Sequence, residues 1–195
     1  MGICAILPAL GCSNTGIDAI LPVDAGSEAI GGGGAPPTDC SDPVTTVVPG
    51  LYNVILDQSG ECLARGVETR IAGTLVMGYE AVLVSDCTLP SAQFRIQTTA
   101  GDPGFELRNV ESNLSLDIEG YETAPSTRAV LFDPTGNANQ RFFFSRYSSS
   151  LTLFSIAPAH TFAQCLTATS LLEVQIWGCQ EGPYQGWRFV RAECE

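Results

Sequence analysis

The sequence predicts an all-β protein made of three repeats of four short strands, arranged as a threefold barrel. The first observation behind this prediction is a closing aromatic segment that occurs three times, at 94–96, 142–144 and 187–189. Its first aromatics are 48 and 45 residues apart (from 94 to 142 and from 142 to 187), and an internal repeat of that period determines the architecture. The second is that short alternating runs and turns precede each segment, with no run of helical periodicity. One such unit cannot bury its apolar face alone, so three units predict a closed barrel.

Each repeat contains four predicted strands in the same order. The first is a run of alternating aromatic and branched residues, and a turn follows it. The second opens on Cys-Leu or Ser-Leu, the third follows a loop of variable length, and the closing aromatic segment is the fourth. In chain order, the first three strands of each repeat are predicted at 50–56, 62–64 and 82–84; at 104–110, 115–117 and 129–132; and at 151–156, 165–167 and 174–177.

Two of the closing segments carry a motif. Residues 139–142 are Asn-Gln-Arg-Phe and residues 184–187 are Tyr-Gln-Gly-Trp, which resemble the Q-x-W motif of ricin B-type lectins. The Cys-Leu pair in the second strand and a cysteine after the third strand are similar to that family as well. The similarity spans residues 48–195, all three repeats, and it implies a β-trefoil fold.

The chain divides into three predicted segments. A degenerate signal-like segment comes first, a flexible linker that contains the run Gly-Gly-Gly-Gly-Ala-Pro-Pro at 31–37 follows it, and the ricin B-like β-trefoil domain comes last. These segments are 1–12, 13–47 and 48–195, and the repeats of the last segment are about 48–100, 101–147 and 148–195.

The apolar start of the chain resembles the end of a bacterial lipoprotein signal, with Cys12 as the lipidated residue. Ala9 and Leu10 depart from that pattern, which favours leucine three residues before the cysteine and a small residue two before it. No basic residue precedes the apolar run. We expect a protein that is secreted or lipid-anchored at the bacterial cell envelope.

The charge of the chain argues against two classes of partner. The net charge is −12, and all nine basic residues are arginines. Because there is no lysine and no basic cluster, neither nucleic acid nor an anionic membrane surface is expected to bind. Contact with a membrane is expected only through the lipid anchor.

The cysteines of the first and third repeats flank equivalent loops, which predicts two disulfides. The second repeat has Ser115 and Pro134 at the two equivalent positions, so both partners are missing together. Joint loss is what a disulfide predicts, since two unrelated thiols need not disappear as a pair. The predicted pairs are Cys62–Cys87 and Cys165–Cys179.

A third disulfide is predicted between Cys40 and Cys194, which bracket the domain, because a closed trefoil brings its termini together. Three disulfides indicate an oxidising compartment. A zinc site is the competing interpretation, but the chain has no C-x-x-C pair and only one histidine. No metal and no cofactor is expected.

The resemblance implies which residues would bind a sugar. In sugar-binding repeats of this family, an acid follows the Cys-Leu pair, an aromatic ends the third strand, and an Asn precedes the motif Gln. A carboxylate can accept hydrogen bonds from two neighbouring hydroxyls, and a ring offers an apolar face to a pyranose. The second repeat keeps all of these residues, which are Asp117, Phe132, Asn139 and Gln140.

The other two repeats depart from this pattern. The first repeat has lost every element: Ala64 replaces the acid, Val84 or Ser85 the aromatic, Ser91 the Asn and Ala92 the Gln. The third repeat is mixed and is expected to hold a remnant of a site. Its residues are Thr167, Trp177, Tyr184 and Gln185. The sequence therefore predicts one complete site, in the middle repeat.

A purely structural interpretation stays open for several of these side chains. Gln140, Gln185 and the closing aromatics suit the core or the turns whatever the function is, and Asp117 also suits a turn cap. Asp117 and Glu119 are spaced to share a strand face, but no other feature indicates paired acid catalysis. No pattern of nucleophile, base and orienting acid occurs, so no enzyme is predicted.

Three functions are compatible with the sequence. The first is non-catalytic carbohydrate binding by a lectin domain through the middle repeat. The second is a β-trefoil protease inhibitor that acts through exposed loops such as 65–80, which carries Arg70 and Tyr79. The third is a trefoil that mediates an interaction and binds no ligand. A fold by itself does not select among them.

Overall fold

The computed structural model describes residues 42–71, 77–99 and 101–193, and within these ranges the regular structure is twelve β-strands and three single-turn 3₁₀ helices. The first repeat holds β1 (Gly50–Leu56), β2 (Cys62–Arg70), β3 (Met77–Val84) and β4 (Gln93–Thr98). The second holds β5 (Phe105–Asn109), β6 (Ser115–Ile118), β7 (Ala129–Phe132) and β8 (Phe142–Arg146). The third holds β9 (Phe154–Pro158), β10 (Gln164–Ala168), β11 (Val174–Gly178) and β12 (Trp187–Arg191). The 3₁₀ helices are Pro90–Ala92, Glu119–Tyr121 and Ala138–Gln140.

The first and fourth strands of the three repeats close into a six-stranded antiparallel barrel. Going around it, β1 pairs with β4, β4 with β5, β5 with β8, β8 with β9, β9 with β12, and β12 with β1. Closure removes the edges that an open sheet would expose.

The second and third strands of each repeat form three hairpins that meet one another at one end of the barrel. Strand β3 pairs with β7, Arg128 just before β7 bridges to Gln175 of β11, and Glu173 just before β11 bridges to Val82 of β3. Six barrel strands and three joined hairpins make the β-trefoil that the resemblance implied.

The closing aromatic segments lie in the core, which explains why they recur. Phe94, Phe142 and Trp187 are fully buried, and the indole Nε1 of Trp187 donates to the carbonyl of Leu166 at 3.0 Å. Further rings pack beside them, with Phe189 lying 4.8 Å from Phe144 between ring centroids. Burial of such rings is the largest apolar contribution that a small β-domain has.

The prediction of a loop at 65–80 is wrong. Strand β2 extends to Arg70 and β3 begins at Met77, so the hairpin continues past a bulge between Arg65 and Glu68. Tyr79 pairs with Leu131 of the second repeat, and the Arg65 guanidinium lies 4.6 Å from the centre of the Tyr79 ring. Pairing with β7 stabilises residues that the local pattern does not mark as a strand.

The first strand of the third repeat lies later than predicted. It spans Phe154–Pro158 rather than 151–156, so the turn expected to begin at Pro158 begins one residue after it. The amide of Tyr147 donates to the carbonyl of Leu153 at 2.9 Å, which closes a turn over residues 147–153 and leaves Leu151 exposed.

Two predicted disulfides are confirmed, Cys62–Cys87 and Cys165–Cys179, with Cα–Cα distances of 5.5 and 4.9 Å. At the same place in the second repeat, the hydroxyl of Ser115 donates to the carboxylate of Glu106, which also accepts from Gln97 and Arg108. In the second repeat, the hydrogen bond from Ser115 to Glu106 thus lies where the other two repeats have a disulfide.

Three predictions fall outside the described residues. They concern lipidation of Cys12, the linker before residue 42, and the pairing of Cys40 with Cys194. The nearest described residues on the two sides lie together, since Pro43 bridges to Val190. Over the described ranges, the structure contains no helix long and apolar enough to cross a membrane.

Candidate functional site

The strand register aligns the three repeats residue by residue. In each hairpin, one cross-strand pair joins the Cys or Ser position to the predicted aromatic position. These pairs are Cys62–Val84, Ser115–Phe132 and Cys165–Trp177. Val84, not Ser85, therefore occupies the aromatic position of the first repeat.

The predicted acid lies on the same hairpin face as the predicted aromatic in the middle repeat. Asp117 pairs with Val130, two residues along from the Ser115–Phe132 pair. Residues two apart in a strand share a face, so Asp117 and Phe132 lie on the face opposite Leu116 and Leu131, which belong to the core.

Two side-chain amides hold the Asp117 carboxylate. Asn139 Nδ2 donates to Oδ1 at 2.9 Å, and Gln140 Nε2 donates to Oδ2 at 2.8 Å. Both amides come from the 3₁₀ helix that precedes the closing aromatic, and each uses its second N–H on a backbone carbonyl, that of Ile118 for Asn139 and that of Asp133 for Gln140. The carboxylate is therefore fixed in orientation with every amide donor satisfied.

The structure brings the four predicted residues of the middle repeat together. The three polar side chains are, however, almost completely buried and do not line an open pocket. Asp117 is 5% exposed, Asn139 is 6% exposed, and Gln140 is fully buried. Phe132, at the end of its strand, is half-buried. The acid and the amide therefore present only a small part of their surface beside the ring.

Acceptor capacity remains at this site. Each carboxylate oxygen of Asp117 accepts one of these two amide hydrogen bonds and has a further lone pair. Asn139 Oδ1 is itself buried and accepts no hydrogen bond within the part of the chain that the structure describes, so the accessible acceptors belong to Asp117. A ligand that suits such a site presents several hydrogen-bond donors close together.

Burial changes the titration of the acid. Desolvation raises the pKa of Asp117 to about 6, although the hydrogen bonds from Gln140 and Asn139 act to lower it, and the nearby charge of Glu119 raises it further. The carboxylate is ionised at pH 7 and becomes protonated in mildly acidic solution.

Glu119, the second acid of the middle repeat's hairpin, forms an ion pair with Arg128. Strand β6 ends at Ile118, and Glu119 lies in the 3₁₀ helix that follows. Arg128 donates to its two carboxylate oxygens from Nε at 3.0 Å and Nη2 at 2.8 Å. This bidentate ion pair supports a structural role for Glu119 at the base of the hairpin.

The third repeat repeats the glutamine geometry without the acid. Gln185 Nε2 donates to Thr167 Oγ1 at 2.8 Å and to the carbonyl of Gly178 at 3.0 Å. Trp177 and Tyr184, at the aromatic and Asn positions, are 43% and 46% exposed. This repeat therefore presents two exposed rings and no carboxylate.

The first repeat contains neither partner of this interaction. Ala64 and Ala92 are both fully buried and pack with Cys62 in a small apolar cluster. Acid and glutamine have thus been replaced together, which leaves no buried amide without an acceptor.

No cluster of three or more His, Cys, Asp or Glu side chains suited to a metal ion occurs in residues 42–71, 77–99 and 101–193. Sequence reasoning did not single out Tyr121 and His160 as site residues, and their rings lie in contact, with centroids 4.8 Å apart. The signal that identifies them is the backbone conformation of Tyr121, which the sequence does not reveal.

Comparison with known proteins shows which family this chain is similar to. Residues 90–171 match the family RicinB_lectin_2, described as ricin-type beta-trefoil lectin domain-like. The match runs from the end of the first repeat, through the whole middle repeat, into the hairpin of the third. The resemblance to ricin B-type β-trefoil lectins that the sequence predicted is confirmed. No curated protein sequence matches the chain significantly.

Solved structures share the fold at low sequence identity. ThreeFoil, a designed threefold-symmetric protein, has a TM-score of 0.61 at 19% identity, covering 72% of this chain and 98% of its own. The ricin B-like lectin of Macrolepiota procera, in complex with lactose, has a TM-score of 0.59 at 20% identity, covering 75% and 99%. The Polyporus squamosus lectin, bound to the epitope Neu5Acα2-6Galβ1-4GlcNAc, has a TM-score of 0.60 at 17% identity, covering 74% and 49%. At these identities the likeness establishes the fold alone.

Proposed function

We propose that the protein binds carbohydrate without catalysing a reaction, through a single site that Asp117, Phe132 and Asn139 form in the middle repeat. The observation that carries this proposal is the Asp117 carboxylate, which two amides orient on the same hairpin face as a half-buried ring. The corresponding positions of the other repeats lack the acid.

The chemistry of this arrangement suits a pyranose. Sugar hydroxyls donate hydrogen bonds, and the remaining lone pairs of Asp117 accept them, while Asn139 holds the carboxylate in place. The apolar C–H face of the sugar packs on the Phe132 ring. Gln140, fully buried, orients the carboxylate and does not itself touch the sugar.

The relatives support carbohydrate as the ligand class. The Macrolepiota procera lectin was determined with lactose and the Polyporus squamosus lectin with a sialylated trisaccharide. The family match covers every residue of the proposed site.

A small, largely enclosed site gives weak binding, since ordering costs consume much of the contact energy. We expect useful avidity to come from several copies held together. The proposed lipid anchor at Cys12 would supply this clustering at the bacterial envelope, and the two disulfides support an oxidising compartment.

The inhibitor hypothesis has no comparable support. The segment expected to form its loop is largely the β2–β3 hairpin, and Tyr79 and Glu80 are paired with β7. We therefore propose carbohydrate binding and not protease inhibition.

The sharpest test replaces Asp117 with the residue that the third repeat uses at the same place. In Asp117→Thr, the threonine hydroxyl can accept from Gln140 as Thr167 does from Gln185, so we expect the fold to persist. On a broad glycan array, we expect Asp117→Thr to lose binding by at least about tenfold, because charge-assisted hydrogen bonds to the sugar disappear.

The matched control is Glu111→Ala, which removes an exposed acid paired with Arg65 away from the site. It is expected to bind as the wild type does. Wild-type binding by Asp117→Thr would remove the basis of the proposal, and so would a wild-type protein that binds no glycan on the array.

A further inference from the structure

Tyr121 adopts a backbone conformation that side chains rarely take. Its φ is 62°, and the preceding Gly120 has a φ of 66°. For a bulky residue, a positive φ is unusual and often marks a functional position. The Tyr121 side chain is nevertheless 51% exposed, so the unusual conformation does not serve to bury the ring.

His160, from the third repeat, fixes the Tyr121 ring. The two ring centroids are 4.8 Å apart with an angle of 51° between the planes. His160 Nε2 lies 2.9 Å from the carbonyl of Glu122, and a carbonyl only accepts, so Nε2 carries the proton and donates. Nδ1 is buried and makes no hydrogen bond among the described residues.

The ring pair flanks the proposed sugar site. Tyr121 comes three residues after Ile118, whose carbonyl accepts from Asn139. His160 follows Ala159, whose amide donates to the carbonyl of Arg141 at 2.7 Å, just after the 3₁₀ helix that carries Asn139. The segments that carry both rings therefore adjoin the 3₁₀ helix that carries Asn139.

Phe132 lies on the other side of the acid. It pairs with Ser115 at the start of β6, whereas Tyr121 follows the end of that strand. From Ser115 to Ile118 the strand rises about 10 Å, which is more than one pyranose ring spans. Two partly exposed aromatic residues thus lie near opposite ends of the strand that carries Asp117.

We propose that Tyr121, held by His160, is a second sugar-contacting surface, so that the ligand is an oligosaccharide whose two successive units lie on Phe132 and Tyr121. This inference rests on the proposed function of the Asp117 site. The first unit bonds to Asp117, and the second packs its C–H face on the Tyr121 ring.

The test compares an oligosaccharide with its own terminal monosaccharide by titration calorimetry. The probes are lactose and galactose or, if the array shows no lactose binding, the most strongly bound oligosaccharide and the monosaccharide at its non-reducing end. Wild-type protein is expected to prefer the longer probe, and Tyr121→Ala is expected to lose roughly threefold to tenfold of that preference. Its affinity for the monosaccharide stays unchanged.

Three further variants keep the outcome clear. Tyr121→Gly removes the ring at a position where glycine takes the observed φ without strain, so its loss of preference is not due to misfolding. Tyr121→Phe keeps the ring and is expected to keep the preference. Leu151→Ala, which removes an exposed apolar side chain elsewhere, is expected to behave as the wild type.

The possible results separate this inference from the proposed function. If Tyr121→Ala and Tyr121→Gly retain the preference, or if both probes weaken equally, Tyr121 does not contact a second sugar, and the Asp117 site stands. If the wild type binds neither probe of either pair, both proposals are wrong. Loss of the preference with monosaccharide affinity intact supports the inference.

Discussion

At the scale of single residues, one interaction explains how the three repeats differ. The buried glutamine needs an acceptor, and the middle repeat supplies the Asp117 carboxylate while the third supplies the Thr167 hydroxyl. The first repeat has replaced both partners with alanine. Because a buried amide without a partner is costly, acid and glutamine change together.

The raised pKa of Asp117 predicts that carbohydrate binding weakens in mild acid. With a pKa of about 6, the carboxylate is ionised at pH 7 and mostly protonated at pH 5. Protonation removes the charge that strengthens hydrogen bonds from sugar hydroxyls. Titration calorimetry between pH 7 and pH 5 should show affinity falling through pH 6, and a constant affinity would contradict the role of Asp117.

The stability of the fold is expected to change in the opposite direction over the same range. The pKa of Asp117 is raised in the folded state above the ordinary value of 3.8, so between these values the folded protein binds more protons than the unfolded chain. Its free energy of unfolding therefore rises by about 1.3 kcal/mol as the pH falls from 7 to 5. Chemical denaturation at the two pH values measures this change.

Glu106 sets the lowest pH at which this change in stability can be assigned to Asp117. Burial alone raises its pKa, but the hydrogen bonds from Ser115, Arg108 and Gln97 together lower it below the ordinary 4.5. Its contribution to stability is lost only below that value, so the range above pH 4.5 reports on Asp117. In Asp117→Thr the rise should disappear, and its persistence would assign the effect to another group.

At the scale of the elements, the sequence predicted strands where aromatic and branched residues alternate, and it failed where a strand depends on a distant partner. Strands β1 and β7 fall where the pattern indicates. The outer half of the β2–β3 hairpin was missed because Glu68 and Arg70 interrupt the apolar alternation. Glu68 and Arg70 lie in β2 and pair with β3, and β3 in turn pairs with β7 of the second repeat. The strand conformation there depends on this distant partner.

The candidate site was only partly accessible to sequence reasoning. The aligned repeats identified Asp117, Phe132, Asn139 and Gln140, because residue type and spacing are visible in the chain. The enclosure of Asp117 and Asn139 was not predictable, since it depends on how the 3₁₀ helix packs on the hairpin. The contact of Tyr121 with His160 joins two different repeats and depends on a positive φ, and no local pattern encodes it.

Gly78 is predicted to be essential for the joining of the hairpins. A Cβ atom at this position would lie 2.6 Å from the carbonyl oxygen of Leu131 and 2.7 Å from Ile71 Cδ1, so β3 and β7 would have to separate. Gly78→Ala is expected to lower the free energy of unfolding by about 2 to 3 kcal/mol, measured by chemical denaturation.

Gly178 provides the matched control for that variant. An added Cβ there meets nothing within 4 Å, so Gly178→Ala is expected to stay within about 0.5 kcal/mol of the wild type. Equal stability of the two variants would show that the close approach of β3 to β7 is unimportant.

At the scale of the whole molecule, the chain combines a threefold barrel with a single proposed site. The fold repeats its architecture three times because each unit supplies two barrel strands and one hairpin. The site chemistry does not follow this symmetry, since the acid occurs in the middle repeat alone. A β-trefoil with one complete site binds one ligand per chain, and any multivalency must come from several chains together.

The stoichiometry of glycan binding tests this account most directly. Titration calorimetry with the glycan selected on the array should give one glycan per chain for the wild type and an affinity lower by at least about tenfold for Asp117→Thr. Binding of two or three glycans per chain, or unchanged binding by Asp117→Thr, would show that the site lies elsewhere on the trefoil.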